Sequence, residues 1–179
     1  MMARRKIYGP QFFLDANRVN ARCNLPAMNQ LEKWNDDGVI SLRFPEHAQS
    51  EAESGRDAQR TQKARRYLIP LPSITLDEER KRLSEIQRTI FGNARLSKQD
   101  ENDALIIFTA QKYAPAILIT ADGELLRAAD ELHRRNGVQV MTDESAVELV
   151  RNLISQRDKM ARADAARENI SVPDWVGKD

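Results

Sequence analysis

Cysteine is almost missing from this chain of 179 residues. Cys23 stands alone, so no internal disulfide can form and no cysteine-based zinc site can be built. Its expected role is that of a small packed residue. Histidine is scarce too: His47 and His133 are the only two, which excludes a multi-histidine metal centre. No apolar run approaches the ~20 residues that a membrane-spanning helix needs. The basic start, Met1-Met2-Ala3-Arg4-Arg5-Lys6, leads into one short strand rather than a signal-peptide core. The expectation is a soluble, cytoplasmic protein. Charge of one sign is lacking as well. With 28 Lys and Arg against 27 Asp and Glu the net charge is +1, so any contact with nucleic acid has to come from local basic clusters.

The chain does have core-forming residues, at 41% hydrophobic against 31% charged, enough for one domain. Its most informative stretch is Glu101 to Glu124, ENDALIIFTAQKYAPAILITADGE. Ala104 to Ala110 is apolar almost all round, as in a helix buried against a sheet, with Ser97 and Asp100 at its candidate N-cap. Pro115 stops it. Ala116 to Thr120 then reads as a fully buried strand of a parallel sheet, with Asp122-Gly123 at its carboxyl end.

Before this stretch, Gln11 to Leu14 reads as a first strand ending in Asp15. A helix capped by Asn24, with Pro26 in its first turn, runs through Leu31 and Trp34 to Asp36-Asp37-Gly38. Val39 to Arg43 is a second strand. Pro45 opens a helical stretch over about 45–67, weakened at Gly55. Leu68 to Ile74, with Pro70 and Pro72, is expected to link to a helix over Thr75 to Phe91, capped by Thr75 or Asp77 and stopped by Gly92-Asn93. After the central stretch come a helix from Glu124 to Arg135, a strand Val138 to Met141, and a last helix capped by Thr142 or Asp143 that keeps its pattern to about Met160. The tail beyond Arg162 is open to two states, disorder or docking through Trp175. Four strands, each followed by helix, predict an α/β fold: a three-layer α/β/α sandwich around a central, mainly parallel sheet.

Ligands and chemistry gather at the carboxyl edge of such a sheet. Asp15 and Asp122 follow strands, Asp103 starts the buried helix, and Glu51 lies early in the helix after the second strand. Each alone has a plain explanation as a turn, cap or surface residue. Together, carboxylates drawn close repel one another unless something positive sits among them. Hard oxygen donors without His or Cys select Mg²⁺ or Mn²⁺. Such ions can acidify a bound water and clamp the oxygens of a phosphodiester. The reading from the residues is metal-dependent phosphoryl or phosphodiester chemistry.

The ordered motifs Phe13-Leu14-Asp15-Ala16-Asn17, Pro45 with Glu51, Asn102-Asp103-Ala104-Leu105-Ile106 and Leu118-Ile119-Thr120-Ala121-Asp122 resemble those of PIN-domain nucleases over residues 10 to 145. The resemblance implies that Asp15, Glu51, Asp103 and Asp122 are catalytic, that Asp15, Asp103, Asp122 and Glu124 hold Mg²⁺ or Mn²⁺, and that Asn17 and Thr120 support the acids. It implies cleavage of RNA to a 3′-hydroxyl and a 5′-phosphate. Arg18, Arg22, Lys63, Arg65 and Arg66 are then the candidates for contacting RNA, each also readable as part of a solvated face. The best-known members of the family with this look are the VapC-type toxins of toxin–antitoxin pairs, which are compact and often dimeric. This chain departs from them in a longer middle segment (about 70–98) and a charged extension. Its expected organisation is a PIN-like domain over 1–150 and a helical, charged extension over 151–179, open to an antitoxin, a dimer mate or RNA.

Other readings are weaker. A haloacid-dehalogenase-type phosphatase calls for an acid where Asn17 stands, and a receiver-like domain calls for paired acids ahead of Asp15 and a late lysine. The non-enzymatic alternative is a catalytically silent PIN-like module that binds RNA or protein.

Overall fold

Phe12, Phe13 and Leu14 are buried in β1 (Gln11–Leu14), the strand on which the sheet is centred. The computed structural model describes residues 5–54, 57–69 and 74–179. β1 is flanked on one side by β2 (Leu42–Pro45) and on the other by β4 (Ala116–Ile119), which pairs with β5 (Val138–Met141). All these pairings are parallel, with Phe12 opposite both Leu42 and Ile117. A two-residue strand, β3 (Leu68–Ile69), extends the sheet beyond β2, giving the order β3-β2-β1-β4-β5. Parallel neighbours require crossovers through helices, and burial on both faces explains why β4 is apolar at every position.

Helices cover both faces, completing the three-layer α/β/α sandwich. α1 (Pro26–Asp36) packs against α8 (Asp143–Glu168), and α4 (Asp77–Phe91) packs against α5 (Lys98–Lys112) and α7 (Ala129–Asn136). α2 (Glu46–Ser54), α3 (Ala58–Arg65) and the short α6 (Gly123–Arg127) complete the described α-helices, and Ala16–Arg18 forms a single 3-10 turn after β1. α5 is buried nearly all round, from Asp103 and Ala104 to Ala110, as its composition predicts. Ser97 and Asp100 form a reciprocal capping box at its start.

Several boundaries differ from expectation for identifiable reasons. Val39 and Ile40 are not in the ladder, because both backbone N–H groups donate to the carbonyl of Trp34 and close the turn after α1. β2 therefore begins at Leu42 and takes in Pro45 at its end. The helix expected over 45–67 is two helices; Asp57 caps the second by accepting from the N–H groups of Gln59 and Arg60. The weak point expected at Gly55 lies outside the described residues, as do Pro70 and Pro72. Leu25, not Asn24, is the N-cap of α1, and its N–H donates to Asn20. Leu76, not Thr75 or Asp77, is the N-cap of α4. The helix expected over Glu124 to Arg135 divides into α6 and α7 at Ala128. Cys23 is exposed rather than packed, with φ 53.

α8 runs well past Met160. Its later buried residues include Ala161 and Ala165, small side chains that make a faint apolar pattern. It ends at Asn169 in the left-handed conformation, with the N–H of Ile170 returning to the carbonyl of Ala165. The tail then folds back. Arg157, buried on α8, stacks on Trp175 at 4.6 Å, pairs with Asp158 and Asp179, and donates to the carbonyl of Arg5. No helix among the described residues is long and apolar enough to cross a membrane.

Candidate active site

From β1 the chain steps to β2 and β3 on one side, then returns to β4 and β5 on the other. The carboxyl ends of β1 and β4 therefore border the topological switch point, where a parallel sheet opens a crevice. Asp15 and Asp122 follow those two strands. With Glu51 of α2 and Asp103 of α5 they line one cleft of about 300 Å³, together with Ala16, Asn17, Arg60 and Gln99. Four residues far apart in the chain thus share one cavity.

Thr120 ties the two strand ends together. Its hydroxyl donates to Asp15 Oδ2 (2.6 Å) and accepts from the N–H of Asp122 (2.9 Å). Asn17 reinforces the link: its amide donates to Asp15 Oδ2 (2.7 Å) and to Thr120 (3.3 Å), while its Oδ1 accepts from the N–H of Ala121 (3.0 Å). Asp15 Oδ1 accepts from the N–H of Ala16 at 2.6 Å. Asp122 Oδ1 accepts from the N–H groups of Glu124 (2.7 Å) and Leu125 (3.0 Å), so the first turn of α6 orients this carboxylate. Amides hold the other two acids: Gln99, one helical turn before Asp103, donates to Asp103 Oδ1 (3.3 Å), and Asn102 donates to Glu51 Oε1 (3.3 Å). A carboxamide fixes a carboxylate without neutralising it.

The acids consequently feel one another. Burial, then the charges of Asp15, Glu51 and Asp122, push Asp103 up to about 7, against a small opposing effect of Gln99. Burial also raises Asp15, opposed by the hydrogen bonds from Thr120 and Ala16 and reinforced by Glu51 and Asp122. The donor set is all hard oxygen, suited chemically to Mg²⁺ or Mn²⁺. Among the described residues, however, no group of three or more His, Cys, Asp or Glu side chains is disposed to hold a metal ion. The carboxylates share a cleft without closing on a common point.

Other candidates stand elsewhere. Glu124 is exposed on α6 and does not line the cleft. Arg18 is drawn to Asp143 (3.0 Å), a buried acid at the start of α8. Lys63 pairs with Glu32 (2.7 Å), Arg65 with Glu53 (3.0 Å) and Arg66 with Asp36 (3.0 Å), while Arg22 lies 3.9 Å from Asp57. Lys63, Arg65 and Arg66 line a second groove, of about 720 Å³, with Ala21, Gln59 and Gln62. None of the five basic candidates lines the acidic cleft. Arg60 does, and sequence reasoning passed over it, as it did Gln99; Asn102 entered only as part of a motif and Asp143 only as a candidate helix cap. The one-turn spacing of Gln99 and Asp103 was a usable signal; Arg60 had none while α2 and α3 were read as one helix.

The chain matches no protein-family model, and comparison with curated proteins and with solved structures gives no match either.

Proposed function

We propose that this protein is a metal-dependent endoribonuclease of PIN-like type. The observation that carries the reading is the convergence of Asp15, Glu51, Asp103 and Asp122 on one cleft at the switch point of the sheet. Asp15, Asp103 and Asp122 would hold Mg²⁺ or Mn²⁺, with Glu51 beside them. Glu124 joins only if α6 turns it inward. The ion's contribution, when bound, is to acidify a water and offset the charge of the phosphodiester.

The chain's own residues hold the site for that chemistry. Asn17 and Thr120 aim Asp15, the N–H groups of α6 aim Asp122, and Gln99 and Asn102 steady Asp103 and Glu51. Hydrolysis forms a bond from the water oxygen to phosphorus and breaks the bond from phosphorus to the 3′ oxygen. The products are a 3′-hydroxyl and a 5′-phosphate. RNA as substrate rests on the family resemblance, as do a toxin's role in the cytoplasm, an antitoxin or other inhibitor protein, and a homodimer. Contact of RNA with Lys63, Arg65 or Arg66 requires each to leave its carboxylate partner.

A labelled RNA pool incubated with Mn²⁺, Mg²⁺ or EDTA, using wild type and Asp103→Asn, tests the reading. Metal-dependent cutting that disappears in the variant is expected. That no group of three such side chains is disposed to hold a metal among the described residues favours one second reading, a silent PIN-like module that binds RNA or protein. Neither cutting nor a shift of Tm with Mn²⁺ would favour that module.

A further inference from the structure

Among the described residues that line the acidic cleft, Arg60 is the one cation. Asp57 caps the first turn of α3 by accepting from the N–H groups of Gln59 (3.0 Å) and Arg60 (3.1 Å), and this turn carries Arg60 into the cleft lined by Asp15, Glu51, Asp103 and Asp122. There its Nη2 donates to the carbonyl of Ala16 at 2.8 Å. A carbonyl tether orients a guanidinium without cancelling its charge. Its neighbours on α3 are disposed differently: Lys63 and Arg65 are each matched to a carboxylate. Arg60 makes no ion pair among the described residues, although four acids share its cavity.

We propose that Arg60 is a catalytic residue that binds the scissile phosphate; this rests on the nuclease reading above. A phosphodiester approaching four carboxylates is repelled, and bound metal spends much of its charge on those carboxylates. The substrate's non-bridging oxygens then need a donor of their own. A guanidinium has five N–H groups in a planar fork, so one bond to Ala16 leaves others for two phosphate oxygens at once. The negative charge on those oxygens shifts during attack at phosphorus. A donor already fixed in the cleft stabilises that change without having to reorganise.

The test uses the full chain with Arg60→Gln, Arg60→Lys and Arg60→Ala. Cleavage of labelled single-stranded RNA in Mn²⁺ is measured beside Tm with and without Mn²⁺. Removing one such fixed donor costs about a hundredfold or more in kcat, and Arg60→Gln should lose that much. It should keep the rise of Tm with Mn²⁺. Arg60→Lys, which keeps charge but not the fork, should fall between. Millimolar methylguanidinium should restore part of the activity of Arg60→Ala, which a purely structural tether would not allow. An active wild type with Arg60→Gln within threefold of it overturns the inference and leaves the nuclease reading standing. Loss of cleavage together with loss of the Mn²⁺ response makes Arg60 a structural tether and also overturns it. A wild type that neither cuts RNA nor responds to Mn²⁺ fails the nuclease reading, and the role of Arg60 falls with it.

Discussion

Asp103 concentrates the electrostatic strain of the cleft in one side chain. Burial and the neighbouring charges of Asp15, Glu51 and Asp122 lift it from 3.8 to about 7, so between those values the folded protein holds a proton that the unfolded chain has released. Stability from this group is therefore greatest at acid pH and is lost as pH rises towards 7. Burial lowers His47, which contributes the opposite slope below its ordinary 6.5, so the difference between wild type and a variant isolates the acid. Without metal, Asp103→Asn should raise Tm at pH 8 by a few degrees, since ~1 kcal/mol is worth ~2–4 °C at this size. At pH 5 it should change little. Melting curves at both pH values check this, and an equal or lower Tm at pH 8 would contradict it. Thr120→Val makes a second prediction. The substitution keeps shape but strips a hydrogen bond from Asp15 Oδ2 and from the N–H of Asp122. It should cost ~1–3 kcal/mol in urea unfolding. Asp15, Asp103 and Asp122 were legible because each sits beside a strand end or a helix start that composition already marks. Arg60 was not, because its direction depends on the break between α2 and α3, which no apolar pattern signals.

The last helix shows how an element can be legible in kind yet not in extent. The run of α5 is bulky and apolar, and β1 and β5 appear at their expected positions. α8 after Met160 buries Ala161 and Ala165 instead, and its hold on the tail is made by charged residues that usually face water. Arg157 pairs with Asp158 and Asp179, all three nearly buried, and Asp158 also accepts from the N–H of Gly177 at 2.7 Å. β3, with two residues, is too short for any periodicity to reveal. The clasp on α8 has a measurable consequence. Asp158→Ala leaves Arg157 its pair with Asp179 but removes its charged hydrogen bonds to Asp158 and the acceptor of the Gly177 N–H, and should cost ~1.5–3 kcal/mol, more than a surface ion pair contributes. Arg167→Ala, which breaks an exposed pair with Asp164 on the same helix, should change stability by under ~1 kcal/mol. Denaturant midpoints of the two variants, compared with wild type, decide this. Equal small effects would mean that the clasp adds nothing to the fold.

At the scale of the molecule, strand order turns scattered acids into a site, since only the reversal at β1 brings the ends of β1 and β4 together. Composition could predict a parallel sheet but not that order, which depends on how far each crossover reaches. The overall charge of +1 gives the chain little attraction for a polyanion, so the proposed nuclease reaction would have to rest on a local balance in the cleft. Protons and divalent cations are alternative ways to relieve the same crowding. On the proposed reading, a cation bound where Asp103 is ionised would gain from all the neighbouring carboxylates; where Asp103 is protonated, binding would first have to expel that proton. Mn²⁺ should therefore stabilise the protein strongly at pH 8 and weakly at pH 5.5. At a concentration a hundredfold above its Kd, the gain at pH 8 should be ~2.7 kcal/mol. For a chain of this length that corresponds to on the order of 5–10 °C in Tm. EDTA should reverse the shift, and Asp103→Asn should lose most of it at pH 8. A Mn²⁺ shift equal at both pH values, or undiminished in Asp103→Asn, would place the ion outside the cleft and separate metal binding from the four acids.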